Sequence, residues 1–95
     1  MVQAKYLKQV KEKVSRFSRG KKLKVFLFGS SLTKDKFGDL DIAVSGRVTD
    51  RQIAELKAEF EASVFPYKVD IINFNRVSEK FKNNVLKDKI LWLKR

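Results

Sequence analysis

The residues of this chain that can do chemistry crowd into one stretch, Lys24 to Val44, which reads KVFLFGSSLTKDKFGDLDIAV. An apolar run (Val25, Phe26, Leu27, Phe28) breaks at Gly29-Ser30, and after a polar connector a second apolar run opens with Asp39 and Asp41. Short runs of β-forming residues bounded by Gly read as buried strands. Side chains alternate along a strand, so Asp39 and Asp41 share a face. Two carboxylates on one face of an otherwise apolar strand repel each other and lose hydration unless a positive charge lies between them. The strand itself holds no Lys or Arg. A divalent cation is the simplest counter-charge.

Gly29-Ser30 supplies the other half. Gly at a strand end allows close backbone approach, and Ser is suited to open a helical turn. The free N–H groups of such a turn attract phosphate. The turn closes the first strand while the acids open the second. They meet at one end of a sheet only if the two strands run antiparallel, and a phosphate cradle then faces a carboxylate pair.

Composition narrows the chemistry further. With no His and no Cys, zinc sites of the usual kinds, His-based acid–base catalysis, thiolate chemistry and disulfides are excluded. Carboxylates, Lys, Tyr, Ser and a hard cation such as Mg²⁺ remain. A chain of 95 residues with 43% hydrophobic residues and eight Phe can fill one core but not two, so 1–95 reads as a single domain. No apolar run is long enough for a membrane span, and the charged, periodic N-terminus lacks a signal-peptide apolar region, so the expected address is cytoplasmic. The net charge of +11 favours polyanionic partners: nucleotides, nucleic acid or an acidic protein. A solvated Lys-rich surface accounts for it equally well.

The elements that position these residues follow from periodicity. Met1–Arg19 is expected to be a helix, with Val2, Tyr6, Val10, Val14 and Phe17 on one stripe and Gly20 beyond its end. Its lysines admit a nucleic-acid-facing role, but the regular stripe favours packing on a sheet. Val25–Phe28 is a strand covered on both faces. In the strand Asp39–Val44, Leu40, Ile42 and Val44 oppose Asp39, Asp41 and Ala43. Thr49–Val64 is a helix with a Thr49/Gln52 capping box and a stripe of Ile53, Leu56, Phe60 and Val64, closed by Pro66. Tyr67–Phe74 is a third strand, in which Asp70 by itself reads as a solvent-facing acid. A helix between two strands of one sheet is the usual parallel crossover, which sets the third strand beside the second and Asp70 near Asp39 and Asp41. Arg76–Lys87 is a helix carrying Val77, Phe81 and Val85, and Ile90–Leu93 continues it or forms a short last strand.

Gly29-Ser30, a polar connector and Asp39-x-Asp41 on a strand resemble the signature of the DNA polymerase β-type nucleotidyltransferase superfamily. The short chain resembles its smallest branch, the minimal nucleotidyltransferases, whose members typically act with a HEPN-domain protein in toxin–antitoxin pairs. The resemblance spans about Val25 to Trp92. It departs from the usual pattern in a slightly short connector, residues 31–38, and in Thr33 and Lys34, where members often carry an Arg and a Gly.

The resemblance implies an α+β fold, a small mixed sheet flanked by helices and ending in a short strand, with Asp70 as a third carboxylate after the crossover helix. It implies that Asp39 and Asp41 bridge two Mg²⁺ ions, that Asp70 holds the metal beside the attacking hydroxyl and takes its proton, and that Gly29 and Ser30 hold the β- and γ-phosphates of ATP. Lys34 or Lys36 would screen phosphate charge by sign and position alone. The implied product is AMP on a side-chain hydroxyl of a HEPN partner, in an antitoxin role. Two other classes stay open: a non-catalytic antitoxin that works by binding, and a small basic nucleic-acid-binding domain. Homo-oligomerisation is also left open.

Overall fold

The computed structural model describes residues 2–36 and 38–95. Helix α1 (Ala4–Ser18) leads into strand β1 (Leu23–Phe28), and a 3₁₀ turn (Ser30–Leu32) follows. Strand β2 (Asp39–Gly46) returns antiparallel to β1, in a register running from Leu23 opposite Gly46 to Phe28 opposite Asp41. Helix α2 (Asp50–Ala62) crosses over to β3 (Lys68–Asn73), which pairs parallel with β2. A second 3₁₀ turn (Phe74–Arg76), helix α3 (Glu79–Lys87) and strand β4 (Leu91–Lys94) complete the chain. β4 pairs antiparallel with the free side of β1. The described residues thus form a four-stranded mixed sheet in the order β3-β2-β1-β4, the α+β architecture expected.

Alternation sorts the side chains to two faces. On one, Val25, Leu27, Leu40, Ile42, Val44 and Val69 pack against Val10 and Val14 of α1 and Leu56 and Phe60 of α2. On the other, Phe26, Ala43 and Phe74 pack against Val85 of α3, with Phe28, Ile72 and Trp92 half-buried around them. Both helices that flank β1 and β2 in sequence lie on the first face. The second face is covered over β1 by α3. It is the face that carries Asp39 and Asp41.

Several boundaries differ from the sequence expectation. Of the expected first helix, Met1 lies outside the described residues, and the helix proper begins at Ala4. Its valine stripe packs in the core, as the packing reading required, while Lys5, Lys8 and Lys11 face solvent. The α2 capping box forms as expected: Thr49 Oγ1 accepts from the Gln52 N–H at 3.1 Å and Gln52 Oε1 from the Thr49 N–H at 3.0 Å. The helix stops at Ala62, however, and Val64 is fully exposed rather than part of the buried stripe. Ser63 ends it by donating its hydroxyl to the Phe60 carbonyl at 2.9 Å. Pro66 follows and disfavours helical backbone before it. α3 starts at Glu79 because Ser78 caps it, its Oγ accepting from the Phe81 N–H. Ile90–Leu93 resolves as the strand option, shifted to Leu91–Lys94.

Candidate active site

Asp39 and Asp41 sit where β2 begins. The parallel register with β3 sets Asp41 opposite Asp70 and Asp39 opposite Lys68. Paired positions in neighbouring strands point to one face, about 4.8 Å apart between strands. Asp41 and Asp70 therefore stand side by side, with Asp39 one pleat along the same face. The crossover through α2 brings this about. A lone acid in the sequence of β3 becomes the neighbour of an acid 29 residues earlier (70 − 41).

On the other flank β1 sets Phe28 opposite Asp41, and Gly29 follows. Gly29 has φ +86° and ψ −162°, a region essentially reserved for glycine. A Cβ at this position would lie 2.5 Å from Asp41 Oδ2. The turn can approach the carboxylate only because no side chain intervenes. Residues 30–32 then make one 3₁₀ turn, in which the Leu32 N–H donates to the Gly29 carbonyl and the Thr33 and Lys34 N–H groups to that of Ser30. The Ser30 and Ser31 N–H groups precede the first bond of the turn and have no partner within it. Ser30 is half-exposed. Ser31 is fully buried, and its Oγ has no partner among the described residues. Of the two serines, Ser30 is the one a ligand can reach. The Val2 N–H donates to the Ser31 carbonyl at 2.8 Å, so the segment before α1 braces the turn.

Burial raises the pKa of Asp41 above 3.8, and the charges of Asp70 and then Asp39 push it the same way. All three causes act against ionisation. Hard oxygen donors are the ligands that Mg²⁺ takes, and a dication here would offset the mutual repulsion. Among the described residues no three carboxylates stand close enough together to cage a metal by themselves.

The antiparallel meeting of turn and acids, the parallel crossover and the neighbourhood of Asp70 all follow the sequence reading. Lys34 and Lys36 lie on the exposed connector. The approach of α3 was missed. Phe81 packs edge-to-face on Phe28, with ring centroids 6.4 Å apart at 87°, and remains 39% exposed. Helical spacing grouped Phe81 with Val77 and Val85 and left its exposure open. The available signal was the alternation of β1, which puts Phe28 on the carboxylate face.

Residues 8–95 match the family model described as Polymerase beta, Nucleotidyltransferase. The chain belongs to the polymerase beta nucleotidyltransferase family. No curated protein matches the sequence. Among solved structures, the fold is similar to a chain of the tri-AMPylated Shewanella oneidensis HEPN toxin in complex with MNT antitoxin. The TM-score is 0.63 and the identity 22%, over 90% of this chain and 70% of that one. At that identity the likeness shows the fold.

Proposed function

We propose that this chain is a minimal nucleotidyltransferase that moves AMP from ATP, with Mg²⁺, onto a hydroxyl of a HEPN-type toxin partner. The observation that carries this reading is the shared face of Asp39, Asp41 and Asp70 beside the Gly29-Ser30 turn. Asp39, Asp41 and Asp70 line this face without closing into a cage among the described residues, so they would hold the metal only together with substrate phosphate and water, as Mg²⁺ usually takes them. Mg²⁺ bound there would neutralise charge on the attacking and leaving oxygens. The acceptor oxygen forms a bond to the α-phosphorus as the bond to the β-phosphate breaks and pyrophosphate leaves. Asp70 takes the proton of the hydroxyl. The N–H groups of Ser30 and Ser31 and the Ser30 hydroxyl hold the β- and γ-phosphates.

The partner reading is supported by the similar fold in a complex of HEPN toxin with MNT antitoxin. The expected setting is the cytoplasm, where ATP and Mg²⁺ are both supplied. The test is transfer of α-phosphate-labelled ATP to a co-purified HEPN-type partner. Asp39→Asn/Asp41→Asn should lower the rate by at least about 10²-fold, the scale for loss of a preorganised electrostatic group, while the two proteins still co-purify. Transfer that survives the double change sinks the carboxylate site. Co-purification without any transfer in the wild type favours a module that neutralises its toxin by binding.

A further inference from the structure

Beside the carboxylates, where the end of β1 meets α3, the surface opens into a cleft of about 230 Å³. Its walls are Phe28, Gly29, Phe81, Asn84, Val85 and Asp88. The first two fix its position. Phe28 is the cross-strand partner of Asp41, and Gly29 lies against the Asp41 carboxylate. Cleft and acids are therefore contiguous, with the cleft on the β1 side of Asp41 and Asp70 on the β3 side. Phe81 is 39% exposed, although the neighbouring aromatics Phe26 and Phe74 of the same face are buried. A half-open ring on a helix that otherwise turns Val85 into the core is a surface awaiting a flat apolar partner. The rim beyond it is polar: Asn84 offers donors and an acceptor, and ionised Asp88 only accepts. Both are exposed.

We propose that this cleft is a nucleobase subsite. The base lies against Phe81 with its hydrogen-bonding edge turned to Asn84 and Asp88, and the phosphates run past Asp41 to Gly29-Ser30. This rests on the proposed nucleotidyl transfer and adds to it where the base sits and which bases are preferred. Size supports it. Whole-ligand pockets are roughly 300–1,000 Å³, so a cleft below that range suits one part of a nucleotide while the rest lies along the acids. The acceptor-only carboxylate of Asp88 favours bases with an exocyclic amino group (adenine, cytosine, guanine) over uracil, which flanks its one N–H with carbonyl oxygens.

The test is calorimetric titration of the full chain with Mg²⁺ and three ligands: tripolyphosphate, ATP and UTP. In the wild type we expect ATP to bind more tightly than UTP. Phe81→Ala should weaken ATP about tenfold, within the range for loss of one base–aromatic stack, and leave tripolyphosphate unchanged. Asp88→Asn, on an exposed side chain that can be changed without disturbing the core, should narrow the preference for ATP over UTP. It keeps the test standing if Phe81→Ala melts. Unchanged ATP affinity in a folded Phe81→Ala, or an unchanged ATP-to-UTP ratio in Asp88→Asn, overturns the subsite while leaving the transferase reading intact. A wild type that binds neither tripolyphosphate nor ATP overturns that reading, and the subsite with it.

Discussion

Asp41 shows most clearly what a carboxylate site demands of its residues. Its pKa is raised above 3.8 by burial first and by Asp70 and Asp39 after it. A carboxyl with a raised pKa binds its proton more tightly in the folded chain than in the unfolded one. Stability contributed by this group is therefore lost as pH rises from 3.8 through the folded value. Metal-free, Asp41→Asn should raise the melting temperature at pH 7, and the gain should fade as pH falls below about 3.8. Thermal melts at both pH values check this, and an equal gain at both would contradict it. Gly29 is constrained from the other direction. Gly29→Ala forces a side chain into a glycine-only region and against Asp41 Oδ2, so about 1–3 kcal/mol of stability should be lost. Denaturant titration measures it. Ser31→Ala should be neutral or stabilising by about 1 kcal/mol, because it removes a buried hydroxyl that has no partner among the described residues. A clear loss would mean that this hydroxyl is hydrogen-bonded after all.

At the scale of elements, strands were more legible than helix ends. Two-residue alternation put Leu40, Ile42 and Val44 opposite Asp39, Asp41 and Ala43, and the sheet buries the first set against α1 and α2. The parallel register that sets Asp70 beside Asp41 follows from chain connectivity once α2 is recognised as a crossover. Val64 escaped the reading because the periodicity of α2 continues past the point where the Ser63 hydroxyl and Pro66 stop the helix. Phe81 escaped because its burial depends on how α3 sits over β1, which no local pattern encodes. α2 also offers a direct test of its cap. Thr49→Ala removes one half of the reciprocal cap and should cost about 1 kcal/mol, read as a lower denaturation midpoint.

For the molecule as a whole, the sheet order puts β2 between β1 and β3, so one strand joins the Gly29-Ser30 turn to the third acid. Most of the candidate site was legible because these contacts are consequences of strand order. The ligand proposed for it rests on family resemblance, since hard-oxygen donors specify a class of cation and not a substrate. The charge of +11 acts over the whole surface and should speed the approach of polyanions. The rate of association with a triphosphate should fall as ionic strength rises, because screening shortens to about 8 Å at physiological salt. The most direct measurement for the transferase reading is ATP binding by calorimetry, with and without Mg²⁺, on the wild type and on Asp39→Asn/Asp41→Asn. We expect binding that requires Mg²⁺ and is lost in the double variant. Binding of equal strength in the variant, or without Mg²⁺, would contradict a metal site built on these acids.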